Sequence, residues 1–190
     1  TSVMLTTVAG NKQSIGYVSL GSLSDDVKAV KVDGVEASVD DIKNGSYSVS
    51  RPFLVAYKDG QLSELAQDYL KYILSSDGQS IISENGYISV SDSAEAYTAS
   101  GLSGKLVLAG STSVAPVMEK LADAYKALNP DVTIEIQQTG SGAGITSAIE
   151  GVCDFGMSSR ELKESEAAEL KSEQIALDGI AVIVNNENPT

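Results

Sequence analysis

The chain has 190 residues, 42% of them hydrophobic, and 26 acidic against 13 basic side chains for a formal net charge of -13; this is enough apolar material for one domain or two small ones. So acidic a balance argues against nucleic acid and anionic membrane surfaces as partners, because both are held through clustered Lys and Arg. With no His and a single Cys, a Ser-His-Asp triad, a His metal site, an intrachain disulfide and a CxxC metal site are all excluded.

Val3 to Val8 reads as a short helix and Ile15 to Leu20 as a strand. Val27 to Val32 alternates apolar and charged residues, as a half-exposed strand does. Ser38 to Asp41 suits the cap of a short helix through Ile42, and Pro52 to Tyr57 is a buried strand. Leu62, Leu65, Ala66, Tyr69, Leu70 and Ile73 recur at the spacing of one helical face, which predicts a packing helix whose stripe faces the core. Ser76 to Gln79 resembles a capping box opening a second helix through Ile82; Asn85-Gly86 ends it before a strand at Tyr87 to Val90. Residues 91–104 are small and polar without periodicity and read as a linker.

Beyond it, Lys105 to Ala109, Val132 to Ile136 and Asp154 to Met157 are predicted strands, and Val117 to Leu128 and Ile145 to Ile149 are predicted helices. A charged helix is expected over Glu161 to Leu170, and one or two strands, split by Asp178-Gly179, over Gln174 to Asn185. Alternation of strand and helix predicts an α/β fold with a parallel sheet over residues 105–185, ligands sitting beyond the carboxyl ends of its strands. No segment approaches the roughly 18 apolar residues of a membrane helix, so direct membrane insertion is not expected. Thr1 to Gly10 lacks the basic n-region and cleavage site of a signal peptide. Cys153 reads as a buried structural thiol.

Two turns join a predicted strand to a predicted helix through small, hydroxyl-rich residues: Ala109 to Pro116, and Gln138 to Gly144. Such turns suit an oxyanion, since glycine permits close approach, the first N–H groups of a helix lack internal partners, and hydroxyls add donors. Gly110-Ser111-Thr112-Ser113 also fits an ordinary capped turn, with Pro116 in the first turn of the helix. Gly140, Gly142 and Gly144 are entropically costly for a turn alone, which favours close backbone approach to something. Neither a Walker A loop nor a dinucleotide fingerprint is present. A third piece, Met157-Ser158-Ser159-Arg160, offers Arg160 as an anion partner, against the commoner fate of a solvated or salt-bridged Arg.

In order and spacing, Gly110 to Pro116, Gly140-Ser141-Gly142 and Asp154 to Arg160 resemble the amino-terminal part of phosphate-binding proteins of Pst-type ABC transporters. Ile15 to Val18, Val32 to Val35, Arg51-Pro52-Phe53 and Ser76 to Gln79 are similar to the carboxy-terminal part of the same family. The resemblance implies one lobe of a type 2 periplasmic-binding-protein fold, a three-layer sandwich on a mainly parallel sheet. Within that lobe the two parts stand in reversed order, residues 1–90 leading, 91–104 linking and 105–190 following. An engineered permutation and a tandem junction both account for this, and either brings the two chain ends together at the hinge.

Carried onto this sequence, the resemblance implies inorganic phosphate bound by Ser111, Thr112, Ser113, Gly140, Ser141, Gly142 and Ser159. The Thr112 and Ser141 hydroxyls, and backbone N–H groups at Ser113 and Ser141, would be donors. Ser159 stands where some members carry an Asp that accepts the proton of hydrogen phosphate, so the acceptor here is a hydroxyl. The family's second lobe, whose Ser-Gly-Thr-Arg segment brings further donors and the main cation, has no counterpart, and the chain carries half a site. No metal, cofactor or catalysis is implied. Implied instead are an extracytoplasmic location, a lipid-anchored parent and an ABC permease as partner. The alternatives are a scaffold or signalling domain with a vestigial anion site, and a phosphoester-processing enzyme using Ser111, Thr112 or Ser141, for which no activating group is evident.

Overall fold

A computed structural model describes residues 2–189. Its elements in order are α1 (Ser2–Ala9), β1 (Ile15–Ser19), β2 (Val27–Ala29), α2 (Val39–Lys43), β3 (Ser50–Tyr57), α3 (Glu64–Leu74), α4 (Ser76–Glu84), β4 (Ile88–Ser89) and β5 (Gly104–Gly110). They continue with α5 (Ala115–Leu128), β6 (Val132–Gln138), α6 (Ser141–Glu150), β7 (Phe155–Ser158), α7 (Glu164–Ala167) and β8 (Lys171–Asn185). The chain divides into two compact units, residues 52–84 with 89–176, and the remainder. Both draw on each half of the sequence, and the chain passes between them within β3, after α4, and within β4 and β8.

In the larger unit the strand order is β3-β7-β5-β6. β5 pairs parallel with β6 and with β7, while β3 runs antiparallel to β7. Laterally paired residues share a face of a sheet. Ala56, Gly156 and Ala109 therefore line one face, and their small size admits α6, whose Ile145 and Ala148 pack with Ala56 and Leu170. The opposite face carries Phe155, whose ring lies 6.5 Å from that of Tyr69 on α3; Tyr69 in turn meets Tyr125 of α5 edge-on at 5.0 Å. Helices thus cover both faces, giving the expected three layers.

In the smaller unit the last residues of β8 are flanked antiparallel by β1 and β2. Val8 of α1 packs with Val18, Val27, Ala181 and Ile183, and Ile42 of α2 with Tyr47 and Ile88. Asn185 donates from Nδ2 to the Val8 and Ala9 carbonyls at 3.1 and 2.7 Å, and Lys12 pairs with Glu187, so the early and late segments meet here.

Several expectations are corrected. The parallel sheet expected over residues 105–185 is formed by β5, β6 and β7, whereas β8 joins antiparallel strands, so the whole is mixed. β8 is one 15-residue strand: Asp178-Gly179 makes no turn, because buried Asp178 accepts from Arg51 Nε at 3.0 Å and from Ser19 Oγ, and a Cβ on Gly179 would strike Ile42. β2 stops at Ala29. The capping box at Ser76 is absent: Ser75 Oγ takes the Gly78 N–H, and buried Gln79 instead spans Ile73 O, Ile175 O and Val90 N–H. The charged helix over 161–170 shrinks to one turn, because only Leu162 and Leu170 are bulky apolar residues there and α7 has no buried face.

Candidate functional site

The three hydroxyl-rich pieces come together at the carboxyl ends of β5, β6 and β7. β5 lies between the other two, so the chain moves one way from β5 to β6 and then crosses back to β7. Such reversal points are where open α/β sheets leave a crevice for ligands. The crossing element is α6, and glycine sets its height. A Cβ on Gly144 would stand 2.3 Å from Ala109 O, and one on Gly156 2.7 Å from Gly144 O. Gly110, at φ 143, is similarly pressed against Met157, where a Cβ would lie 2.2 Å from its carbonyl.

The close backbone approach expected of the second turn's glycines holds for Gly144, which meets β5, and the other two differ from it. Gly144 is explained by packing on β5, and Gly140 by its φ of 89, which only glycine adopts without strain. Gly142 has open space where its side chain would be. It lies in the first turn of α6, where the N–H groups of Ser141, Gly142 and Ala143 precede the first helical bond, from Gly144 N–H to Gly140 O at 3.0 Å. A glycine N-cap offers no side chain to cover them.

Gly110 O accepts from the Thr139 and Gly140 N–H groups at 3.0 and 2.8 Å, tying the start of α6 to the end of β5. Ser111 N–H donates to Met157 O at 2.9 Å, tying that end to β7. Ser111 is 3% exposed, and its Oγ accepts from the Ser113 and Val114 N–H groups at 3.2 and 3.4 Å. It therefore holds the turn that leads into α5, and the Ser113 N–H expected as a phosphate donor already has a partner. Thr112 is exposed at the turn, while Ser113, Gly140, Ser141 and Ser159 are half-buried and Gly142 is exposed. Ser141 Oγ accepts the Ser159 N–H at 3.2 Å and lies 3.3 Å from Ser159 Oγ, so these two side chains are brought into direct contact.

Arg160 adjoins this group but is engaged. Its Nη1 and Nη2 donate to Glu166 Oε2 and Oε1 at 2.8 and 2.9 Å, and Nη1 also to Glu161 O at 2.8 Å. The fork, and the Lys163 N–H given to Glu166, hold the Glu166 carboxyl down at about 2. Sequence reading passed over Glu166; the faint signal was a Glu three residues after Lys163, the capping-box spacing without a capping residue. Ser158, part of the third piece but given no role in the sequence, is buried and locks the turn by donating to Arg160 O at 2.8 Å. Cys153 is half-buried, its thiol pushed up to about 11 by burial and then by Asp154, consistent with an unreactive structural role. Among the described residues no cluster of His, Cys, Asp or Glu could hold a metal, and no helix is long and apolar enough to cross a membrane.

A family model described as a PBP superfamily domain matches residues 83–190. "Phosphate-binding protein PstS 2" of Streptococcus agalactiae serotype V is 54% identical over 189 residues, which are 99% of this chain and 64% of that protein. The protein of the same name from Streptococcus pneumoniae serotype 4 is 49% identical, over 97% of this chain and 63% of its own length. The solved structure of a phosphate-binding protein of a phosphate ABC transporter from Streptococcus pneumoniae TIGR4 superposes with a TM-score of 0.89 at 48% identity, covering 100% of this chain and 74% of that one. The chain thus spans just under two thirds of the curated relatives it matches. A single alignment running through nearly all of it means that these relatives carry both halves in the order found here, and no engineered rearrangement is needed to explain that order.

Proposed function

We infer the function from one premise: the chain belongs to the PBP superfamily, among its phosphate-binding proteins. It is one ligand-binding lobe of an extracytoplasmic, lipid-anchored solute-binding protein that takes up inorganic phosphate and delivers it to an ABC permease by hinge closure. The observation that supports this most is the uncovered N-terminus of α6 beside the paired Ser141 and Ser159 hydroxyls, at the strand ends where the sheet order reverses. The proposed contacts are the Thr112 and Ser141 hydroxyls, the α6 N–H groups from Ser141 onward, and Ser159. Ser111, Ser113 and Gly140 shape the turns that present them. Among the described residues no side-chain base hydrogen-bonds these hydroxyls, and the proposed role is binding.

We assign the remaining donors and the main cation to a second lobe in a protein as long as the relatives. A hydrogen bond to a charged group contributes about 1.5 to 3 kcal/mol, so lacking an Arg and several donors costs on the order of 5 kcal/mol, several thousandfold in affinity. Calorimetric titration of the 190-residue chain with inorganic phosphate should give millimolar binding or weaker, and micromolar binding contradicts the half-site. In a protein as long as the relatives, T112A/S141A should weaken phosphate binding by about a hundredfold or more. Unchanged affinity would make both turns ordinary caps.

A further inference from the structure

We propose that Glu166 is a positioning residue for the anion site: its carboxylate holds the Arg160 guanidinium in a two-pronged ion pair and so keeps the rim of Ser111, Thr112, Ser113, Ser141 and Ser159 uncharged. This rests on the phosphate reading and adds which donors the anion meets. Arg160 directly follows Ser159, and its N–H meets Ser158 Oγ at 3.3 Å, so its backbone is fixed at the edge of the rim. Its side chain is committed elsewhere, with both terminal nitrogens on Glu166 and one also on Glu161 O.

Glu166 is anchored too. Its Oε2 accepts the Lys163 N–H at 2.8 Å at the start of α7, and its side chain is only 14% exposed. The carboxylate therefore does not follow the guanidinium if the latter turns toward the rim. Two parallel N–H···O bonds match the planar fork to a planar carboxylate, and an arriving tetrahedral anion has to break both to recruit the charge. It is met instead by helix N–H groups and hydroxyls, which are neutral. The consequence is an affinity that is low and less sensitive to salt than that of a site with a free guanidinium.

The test is an NMR titration of the 190-residue chain with inorganic phosphate at low and high ionic strength, reading the Ser141, Gly142 and Ala143 amides. R160A should leave phosphate affinity within about twofold of wild type. E166Q should raise it roughly tenfold, the effect of one charge-assisted hydrogen bond, and make it fall with added salt. R160A/E166Q should return to wild-type behaviour. A tenfold or greater loss in R160A overturns the proposal, because the guanidinium then already touches the anion. So does an E166Q protein whose amides respond to phosphate with wild-type affinity and salt dependence. If phosphate moves these amides in neither protein, the proposal fails, while the phosphate reading is decided separately by T112A/S141A in a protein as long as the relatives. Circular dichroism checks folding, and the R160A arm decides alone if E166Q does not fold.

Discussion

Tyr69 is wholly buried on α3, and among the described residues its hydroxyl is the one buried side-chain polar atom without a hydrogen-bond partner. Burial drives its ionisation far above the usual tyrosine range, so the hydroxyl stays neutral and unsatisfied. Removing it should cost nothing. Y69F is expected to leave stability unchanged or to raise it by about 1 kcal/mol, a rise of about 2 to 4 °C in melting temperature for a chain this long. A fall in melting temperature would mean that the hydroxyl has a partner in solution. The aromatic stripe was legible in the sequence because Tyr69 lies at helical spacing among leucines. Its orphaned hydroxyl was not, since satisfaction depends on what α5 brings from fifty residues away. Glycine behaved likewise: the cost of the Gly140 to Gly144 cluster could be read in sequence, but not its division between packing at Gly144 and open space at Gly142.

The elements that stood out in sequence were those with a long apolar period, α3 and α5, and the buried strands β3, β5 and β7. Those that misled were short or polar. The stretch expected to be a linker has no helix or strand over residues 91–103, yet it is fastened. Tyr97 and Ser100 donate to Asp68 Oδ2 at 2.5 and 2.8 Å, Tyr125 does so at 2.7 Å, and the Tyr97 ring meets Tyr72 edge-on at 5.1 Å. One carboxylate oxygen thus gathers three hydroxyls from segments far apart in sequence, a convergence that no local pattern announces. D68A should therefore cost about 2 kcal/mol or more in urea unfolding and open residues 91–103 to limited proteolysis. An unchanged midpoint together with an uncut segment would show that the strap is held by its aromatic ring alone.

For the whole molecule, acid should act differently on the two units. In the larger, burial opposes ionisation of Asp68 but its hydroxyl donors prevail, and the Arg160 fork dominates Glu166; both carboxyls lie below their usual values. A carboxylate with a lowered folded-state value contributes stability above its unfolded value and loses it as pH falls through the folded one, for Glu166 between about 4.5 and about 2. Asp178 in the smaller unit is shifted the other way, because burial outweighs its Ser19 and Arg51 partners. It takes up a proton on folding, and its share of stability rises as pH falls through its folded value toward the unfolded one. Hydrogen exchange compared at pH 7 and pH 3 should show residues 91–103 and 158–166 losing protection before the end of β8. Equal loss throughout would mean that net charge, not these carboxyls, governs acid unfolding. The gathering of the three hydroxyl-rich turns at neighbouring strand ends was legible at this scale. The partition into units was not, because β3, β4 and β8 are divided by contacts that involve both halves.

Gly142 has an ordinary φ and empty space around its missing side chain, while Gly144 two residues on is wedged against the β5 backbone. Among neighbouring positions in one turn, tolerance thus changes from complete to nil. A cysteine introduced at Gly142 would carry a fluorophore at the mouth of the proposed site without lifting α6, turning the lobe into an optical reporter of occupancy. A library meant to retune anion preference would randomise Gly142 and leave Gly110, Gly144 and Gly156 untouched.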